Sequence, residues 1–318
     1  MRLPLLSALV MGIAALTALL LTACGDDNGN SNANDDKVQV LTTLPLFADF
    51  AGNVGGDRVE VTSLLPLGAD PHTFEPSPRD VEKVTQAGIV FANGFDLEPA
   101  LIKLIEPNLP SGAPLILLAE EARDSGAATR AGGEGEGAEG HGIDPHMWMD
   151  PANALLYIAA IRDSLTKIDP DGAAEYAGNH DSYAGEIEET SNDVAASVDE
   201  IPDDLRKLVT THDAFGYFAD AFGLEVTEFV AEAPGGDPSP QDIADIAAVI
   251  EGQAVPAVFA EPQVHEEGQI LEQAAADAGV EVCVLYSDSL DDTVTSYIEL
   301  MRFNADELAR CLGGAGGG

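Results

Sequence analysis

The chain has 318 residues, of which 45% are hydrophobic and 22% charged, a balance that excludes a collagen-like, disulfide-scaffold or mostly disordered protein and leaves room for two globular units. Its 56 acidic residues outnumber its 14 Lys and Arg, and the formal net charge of -42 disfavours binding to nucleic acid phosphates or anionic lipids and favours a cation as partner. The simplest interpretation of this charge is a solvated acidic surface, so charge alone predicts no metal site.

The N-terminal segment has the order of a secretion signal. A positively charged start precedes an uncharged stretch over residues 3–21, and a run of small residues ends at Cys24. This order resembles a bacterial lipoprotein signal, which implies cleavage before Cys24 and a lipid on its thiol. The alternative is an uncleaved transmembrane helix, because about 20 apolar residues can span a bilayer. We predict a signal peptide over 1–23 and a flexible tether over 24–36, where no apolar side chain can join a core.

No second long apolar run follows, so the mature protein is expected at the extracytoplasmic face of the cytoplasmic membrane, held by its lipid without crossing the bilayer. Disulfides persist in that oxidising environment. Cys283 and Cys311 are therefore expected to be bridged, a loop of about 28 residues that contributes roughly 3 to 4 kcal/mol, and two buried free thiols are the alternative.

The body of the chain alternates short apolar runs, rich in β-branched residues, with helical segments. The runs are VQVLTT, VEVTSLL, GIVFANG and PLILLAE in the first half, and KLVTT, LEVTEFV, AVPAVFAEP and VEVCVLY in the second. This alternation predicts an α/β fold with mainly parallel strands, buried on both faces.

The two halves also repeat one another. The matching segments are 42–51 with 210–219, 75–81 with 237–243, and 90–92 with 258–260. The first and last pairs share an offset of 168 residues, which chance explains poorly. We predict two similar lobes, each with about four mainly parallel strands flanked by helices.

Two further segments complete the predicted organisation. Residues 171–200 contain many helix formers and no internal Pro, and they predict one long helix that connects a lobe over 37–170 with a lobe over 201–318. Residues 124–142 are rich in Gly, Ala and Glu and predict a mobile loop. The loop is either a tolerated surface insertion or a weak collector of cations. Its candidate collecting residues are Glu134, Glu136, Glu139 and His141.

Four residues are candidates for a metal site. His72, His146 and His212 lie just beyond a predicted strand or at a strand-to-helix turn, and Asp288 leaves the last strand in the same way. Loops at the carboxyl ends of parallel strands converge on the crevice where ligands bind. Three imidazoles and one carboxylate suit a tetrahedral Zn²⁺ with bonds of about 2.0 to 2.2 Å. Because four protein ligands leave no position for water, the set predicts binding of the ion and no enzymatic activity.

Four segments of the chain are PHTFEPSP, DPHMWMDP, THDAFGYF and the late SDS. In the order and separations of these segments, in the lipoprotein cysteine and in the repeated halves, the chain resembles the cluster A metal-binding lipoproteins. These are solute-binding components of ABC importers for zinc or manganese. The resemblance implies an ion at the interface of two lobes, with His72 and His146 from the first lobe and His212 and Asp288 from the second. It also implies delivery to an importer permease and its ATPase.

Position 212 favours Zn²⁺ as the transported ligand. In this family, members that carry manganese commonly have Glu here and those that carry zinc commonly have His. A nitrogen in place of an oxygen shifts preference from Mn²⁺ toward Zn²⁺. Manganese or iron remains the alternative, because some members with three His and one Asp take either ion. Many zinc-type members have a histidine-rich loop before the second ligand, whereas the loop here has His141 alone.

Asp144 and Glu261 are candidate acceptors for the imidazole N–H groups, with helix or turn capping as the alternative. Trp148 is expected to pack near His146. We interpret His180 and His265 as solvated surface residues.

Two other functions are compatible with the sequence. A metallohydrolase would have water in place of Asp288, and a surface adhesin or metal buffer would have no importer. We expect a monomer with no nucleic acid partner.

Overall fold

Strands form two four-stranded sheets in the computed structural model, which describes residues 37–132, 142–231, 233–235, 240–252 and 255–313. The strands are β1 Val38–Thr42, β2 Val59–Ser63, β3 Ile89–Ala92, β4 Leu115–Leu117, β5 Lys207–His212, β6 Glu225–Ala231, β7 Ala257–Ala260 and β8 Glu281–Val284. Their orders are β2-β1-β3-β4 and β6-β5-β7-β8, and the paired strands within both sheets are parallel. The two-lobe α/β prediction is confirmed.

Helices connect the strands, as parallel pairing requires. They are α1 Pro45–Gly55, α2 Pro78–Gln86, α3 Pro99–Asn108, α4 Leu118–Asp124, α5 Pro151–Ile168, α6 Ala173–Asp199, α7 Gly216–Phe222, α8 Pro240–Gly252, α9 His265–Ala278 and α10 Tyr297–Leu312. Proline begins α1, α2, α3 and α5, where its missing N–H costs nothing. Gly223 and Gly279 end α7 and α9 in the left-handed conformation that favours glycine.

The repeat in the sequence corresponds to a repeat in strand register. Thr42 pairs with Phe91 in the first sheet, and Thr210 pairs with Phe259 in the second. Each residue of the second pair lies 168 positions after its counterpart, the same offset as in the sequence match. Both sheets therefore have the same strand order around an equivalent central strand.

Neighbouring residues on the central strands lie in different cores. Val40 and Leu208 belong to one central core that both sheets share with α1, α5, α6, α7 and α10. The next residues, Leu41 and Val209, belong to separate outer cores, under α2 and α3 in the first lobe and under α8 and α9 in the second. The period of two along each strand therefore buries both faces of both sheets. The chain from Lys37 to Gly318 forms one compact unit.

The long helix α6 has 27 residues, about 40 Å at 1.5 Å per residue, and follows a short 3-10 turn over Pro170–Gly172. It packs against α1 and α5 of the first lobe and against α10 of the second. Asp49 on α1 joins these elements, because its Oδ2 accepts hydrogen bonds from the Tyr183 hydroxyl on α6 at 2.8 Å and from the Tyr297 backbone N–H on α10 at 3.0 Å. The helix therefore lies along both lobes.

Several predicted features lie outside the described residues. They are the signal peptide, Cys24, the tether, and Glu134, Glu136, Glu139 and His141. Among the residues that the structure describes, none of the helices combines the length and the apolar composition needed to cross a bilayer.

Candidate metal centre

The four predicted ligands approach one point from the carboxyl ends of the two sheets. His212 is the last residue of β5, and Asp288 lies four residues beyond the end of β8. His72 lies in the turn between β2 and α2, and His146 directly precedes the short 3-10 helix Met147–Met149. His146 does not directly follow a strand, because α4 and residues 125–145 separate it from β4, and it lies instead at the turn into a helix.

Four distances between the ligand atoms are close to those in a tetrahedral site. The Nε2 atoms of His72 and His146 lie 3.4 Å apart. Asp288 Oδ1 lies 3.5 Å from His146 Nε2, and its Oδ2 lies 3.2 Å from His212 Nε2 and 3.6 Å from His72 Nε2. A tetrahedral ion with bonds of about 2.0 to 2.2 Å holds its ligand atoms about 3.3 to 3.6 Å apart. Each of the four residues contributes one atom, and all four atoms lie within 4.8 Å of one another.

Burial makes this arrangement costly without a cation. The side chains of His212 and Asp288 are fully buried, that of His146 is 2% exposed and that of His72 is 12% exposed. Within the described part of the chain, His212 Nε2 and both Asp288 oxygens form no hydrogen bond of regular geometry, although His212 Nε2 lies 3.2 Å from Asp288 Oδ2. Buried polar atoms are normally paired, since an unpaired one costs about 1 to 3 kcal/mol. A divalent cation would pair all three.

Asp144 orients His146 as predicted. Its Oδ1 accepts hydrogen bonds from the backbone N–H of His146 at 3.0 Å and from His146 Nδ1 at 2.8 Å. With the proton on Nδ1, the Nε2 lone pair faces the other ligands. The bond from the His146 backbone N–H also caps the turn, so Asp144 makes the capping contact as well as the imidazole contact.

Glu261 has the same role for His212. Its Oε1 accepts from His212 Nδ1 at 2.9 Å and from the Thr211 hydroxyl. Its Oε2 accepts from the Ser287 hydroxyl and from Gln263 Nε2 at 3.4 Å. Residues on β5 and on two loops of the second lobe therefore hold the carboxylate and, through it, the imidazole ring.

The carboxylates govern the protonation of the imidazoles. Burial lowers the pKa of His146, but Asp288 and Asp144 outweigh it and raise that pKa above the ordinary value. Burial also lowers the pKa of His212, but Glu261 and Asp288 outweigh it and raise that pKa well above the ordinary value. Burial would raise the pKa of Asp288, but the imidazoles of His146, His212 and His72 lower it well below the ordinary value. Asp288 is thus ionised, and a metal ion must displace protons from the imidazoles.

Trp148 packs against His146, as predicted, with a distance of 5.6 Å between ring centroids. It also joins the lobes, because its Nε1 donates to the Ser287 carbonyl at 3.2 Å and its own carbonyl accepts from the Tyr297 hydroxyl at 3.0 Å. Ser287 immediately precedes Asp288. A residue near His146 is therefore hydrogen-bonded to the residue before Asp288.

The other cysteines and histidines that the structure describes lie away from the four predicted ligands. The sulfurs of Cys283 and Cys311 are bonded to each other, so β8 is linked to α10 and no thiolate is available to a metal there. His180 on α6 lies near Asp181 and Arg162, and His265 is exposed at the start of α9. The described flank of the predicted mobile loop is hydrogen-bonded, with an antiparallel bridge between Ala131 and Ile143.

Sequence reasoning missed two buried carboxylates near the ligands. Asp70 Oδ1 accepts from the backbone N–H and hydroxyl of Thr73, and Oδ2 has no hydrogen bond among the described residues. Burial raises its pKa, with His72 opposing and Asp288 adding to the shift. A signal was present, because Asp70-Pro71-His72 repeats the Asp-Pro-His order of residues 144–146.

The second missed carboxylate, Glu98, is 1% exposed. It accepts from the Thr43 hydroxyl at 2.9 Å and from the Asn93 backbone N–H at 2.6 Å, and burial raises its pKa to about 7. Asn93 Nδ2 in turn donates to the Pro145 carbonyl, next to His146. The repeated threonines were the signal, since Thr43 binds Glu98 as Thr211 binds Glu261.

Comparison with known proteins shows to which family this architecture belongs. The family model described as ZnuA, zinc-uptake complex component A periplasmic, matches residues 40–311. The iron-binding protein YfeA of Yersinia pestis is 31% identical and covers 96% of each chain, and the manganese-binding lipoprotein MntA of Halalkalibacterium halodurans is 26% identical over 92% of this chain and 95% of its own. The solved structure of the periplasmic zinc binding protein TroA from Treponema pallidum matches with a TM-score of 0.78 at 27% identity, covering 87% of this chain and 99% of that chain.

The two parallel sheets, the long helix and the ligand cluster between the lobes define a metal-binding substrate-binding protein of the ABC importer class. The chain belongs to the zinc-uptake complex component A family, which consists of substrate-binding proteins and not of enzymes. Membership implies a permease and an ATPase as partners and a divalent metal as cargo. The relatives are named for manganese, iron and zinc, so the family defines the class of cargo and not the ion.

Proposed function

We propose that this protein captures Zn²⁺ with His72, His146, His212 and Asp288 and delivers it to the permease of an ABC importer. The observation that supports this most strongly is the set of three imidazole nitrogens and one carboxylate oxygen, largely buried and within 4.8 Å of one another. The two Nδ1–H donors to Asp144 and Glu261 leave Nε2 of His146 and His212 free to bind metal.

The donor set favours zinc over the other ions for which relatives are named. Zinc accepts four tetrahedral nitrogen and oxygen ligands, whereas manganese prefers more oxygen ligands and an octahedral arrangement. Manganese or iron, carried by a protein of the same importer class, is the alternative.

Capture requires no chemical step. The ion displaces protons from the imidazoles and pairs the buried Asp288 oxygens, so the residues facing each other across the interface are stabilised in one arrangement. Release then depends on docking to the permease, which must separate ligands of the two lobes. His72 is the ligand that solvent reaches first, since its side chain is the most exposed of the four.

We further propose the localisation and the domain boundaries that the sequence predicts. Residues 1–23 are a signal peptide, Cys24 carries a lipid, and residues 24–36 tether the protein to the extracytoplasmic face of the membrane. Residues 37–170 and 201–318 are the two lobes of a monomer.

Elemental analysis of the purified protein, followed by competition between zinc and manganese after chelation, tests the proposal. We expect one zinc per chain and displacement of manganese by zinc. Preferential retention of manganese would instead support the alternative cargo.

Alanine variants test the ligand set. His72→Ala, His146→Ala and His212→Ala should each weaken zinc binding by about a hundredfold or more, since each removes a ligand. The matched controls His180→Ala and His265→Ala should bind zinc as the unmodified protein does. Similar losses in all five variants would refute the assignment.

A further inference from the structure

A helix of the second lobe reaches the chain segment that carries His146. Residues 130–132 and 142–144 of the first lobe run antiparallel, with an Ala131–Ile143 bridge. Gly132 N–H donates to the Gly142 carbonyl at 2.8 Å, and Asp144 N–H donates to the Arg130 carbonyl at 3.0 Å. These bonds make Arg130 and Asp144 directly opposite residues.

One hydrogen bond of this pair is replaced by a side chain from the other lobe. Opposite residues of a hydrogen-bonded antiparallel pair exchange two N–H···O bonds, and here only the bond from Asp144 N–H forms directly. The Tyr217 hydroxyl on α7 occupies the place of the other. It accepts from Arg130 N–H at 2.9 Å and donates to the Asp144 carbonyl at 2.9 Å. The Tyr217 side chain is buried.

Asp144 is also the residue that orients His146, since its Oδ1 accepts both N–H and Nδ1–H of that histidine. On the other side, α7 begins four residues after His212, at Gly216. His212 is therefore connected to His146 by four residues of chain to α7, by the hydrogen bonds of Tyr217, and by Asp144.

A second contact between the same elements is exposed. The Arg130 side chain passes over Gly216 to pair with Asp220, and a Cβ at Gly216 would lie 2.3 Å from Arg130 Nε. Solvent-exposed ion pairs of this kind contribute at most about 1 kcal/mol. The buried hydroxyl is therefore the specific link between α7 and the segment before His146.

We propose that Tyr217 is a positioning residue for metal capture, whose hydroxyl couples the approach of the second lobe to the orientation of His146. The inference rests on the proposed function, because it takes His146 as a ligand. In this proposal a residue of the second lobe positions an imidazole of the first lobe. The metal site therefore forms only when α7 is packed against the segment before His146.

Tyr217→Phe separates this role from a structural one. Phenylalanine keeps the buried ring, and without the hydroxyl Arg130 N–H can donate directly to the Asp144 carbonyl, so neither group loses its partner. The free energy of unfolding should then change little. Asp144 would move toward Arg130, however, and carry the acceptor of His146 Nδ1 away from its present place.

The test measures zinc affinity, zinc release to a chelator, the visible spectrum of the Co²⁺-loaded protein, and urea unfolding of the chelated protein. For Tyr217→Phe we expect zinc binding about tenfold weaker, faster release and an altered tetrahedral Co²⁺ spectrum, with an unfolding midpoint close to the unmodified value. The matched control is Tyr176→Phe on α6, which also removes a hydroxyl bonded to an aspartate, Asp169, and should change none of the metal measurements.

A double-mutant cycle with Asp144→Asn tests the route. If Tyr217 acts through Asp144, adding Tyr217→Phe to Asp144→Asn should change affinity by less than about twofold. A full tenfold loss in that background, or metal binding by Tyr217→Phe equal to the unmodified protein, would overturn the inference. Failure of the unmodified protein to bind zinc would instead overturn the proposed function.

Discussion

The three imidazoles of the candidate metal centre lie in two kinds of environment. His146 and His212 donate from Nδ1 to buried carboxylates of their own lobes, Asp144 and Glu261. His72 is more exposed, and Oδ1 of the neighbouring Asp70 accepts a hydrogen bond from Thr73. Two ligands are therefore fixed in ring orientation and tautomer, while the third lies nearest to solvent.

The raised pKa values of His146 and His212 predict a pH dependence with a definite sign. Below these pKa values the metal-free imidazoles hold protons that zinc must displace, so affinity should fall with decreasing pH, and the fall should begin above the ordinary imidazole value of about 6.5. Calorimetry in buffers of different ionisation enthalpy should detect proton release on zinc binding at pH 7. Affinity that stays constant from pH 5.5 to 8.5 would contradict imidazole ligation.

Glu98 predicts a pH effect on stability that is separate from metal binding. Its pKa rises from the ordinary 4.5 to about 7 on burial, so the folded state retains a proton that the unfolded state loses, and stability falls as the pH rises through that interval. The loss should reach roughly 3 kcal/mol by pH 8. Urea unfolding of the chelated protein at pH 5 and pH 8 measures it.

Glu98→Gln should make this difference between pH 5 and pH 8 smaller, and the raised pKa values of His146 and His212 should leave a remaining fall of the same sign. The control is Glu106→Gln on the exposed side of α3, the helix that begins directly after Glu98, and this variant should keep the difference. An unchanged pH dependence in Glu98→Gln would show that other groups cause it.

At the scale of elements, α6 combines a regular buried stripe with two glycines on its exposed side. The stripe consists of Tyr176, Tyr183, Ile187, Thr190, Val194 and Val198, at intervals that keep one face toward the lobes. Packing of this face, and not helix propensity, therefore stabilises α6.

The exposed glycines of α6 predict stabilising substitutions. A Cβ at Gly178 or Gly185 would meet no atom within 4 Å, so Gly178→Ala and Gly185→Ala should each raise the free energy of unfolding by roughly 0.5 to 1 kcal/mol. Gly172→Ala is the contrasting variant, because its Cβ would lie 2.4 Å from Arg58 Nε, and it should destabilise. Urea unfolding compares the three, and a loss of stability in Gly178→Ala would contradict the prediction.

The link between β8 and α10 predicts a measurable contribution of the disulfide. Cys283 and Cys311 are 28 residues apart, so their bond should stabilise the fold by about 3 to 4 kcal/mol through the unfolded state. A variant with both cysteines changed to alanine should unfold at correspondingly lower urea concentration while binding zinc with unchanged stoichiometry. Thiol titration that finds two free cysteines in the purified protein would contradict the bridge.

For the whole molecule, the shared central core matters more than the division into lobes. Trp148 of the first lobe is bonded to Ser287 and Tyr297 of the second, and Val40 and Leu208 of the two central strands lie in one core. If the two sheets separated, apolar residues of both would be exposed to solvent.

We therefore expect the chelated protein to unfold in one cooperative transition. Fluorescence of Trp148, the single tryptophan, reports on the interface, and far-ultraviolet circular dichroism reports on the helices. The two urea transitions should coincide. Two separate transitions would mean that the lobes unfold independently.

The sequence by itself determined the strands, the repeated halves, the long helix and the four residues that meet. Each of these features can be predicted from residues that are close together in the chain. Hydrophobic periodicity, helix-forming composition and the repeated motifs are all patterns of neighbouring residues. The position of each histidine at a strand end or turn was sufficient to predict their convergence, since parallel strands end at the same edge of a sheet.

Only the tertiary structure decided the shared core and the roles of Glu98, Asp70 and Tyr217. Each depends on contacts between residues distant in the chain, such as the 87 positions that separate Arg130 from Tyr217. A hydroxyl that replaces one bond between two opposite residues has no pattern in the sequence, because its effect arises from where packing places α7 relative to the segment before His146.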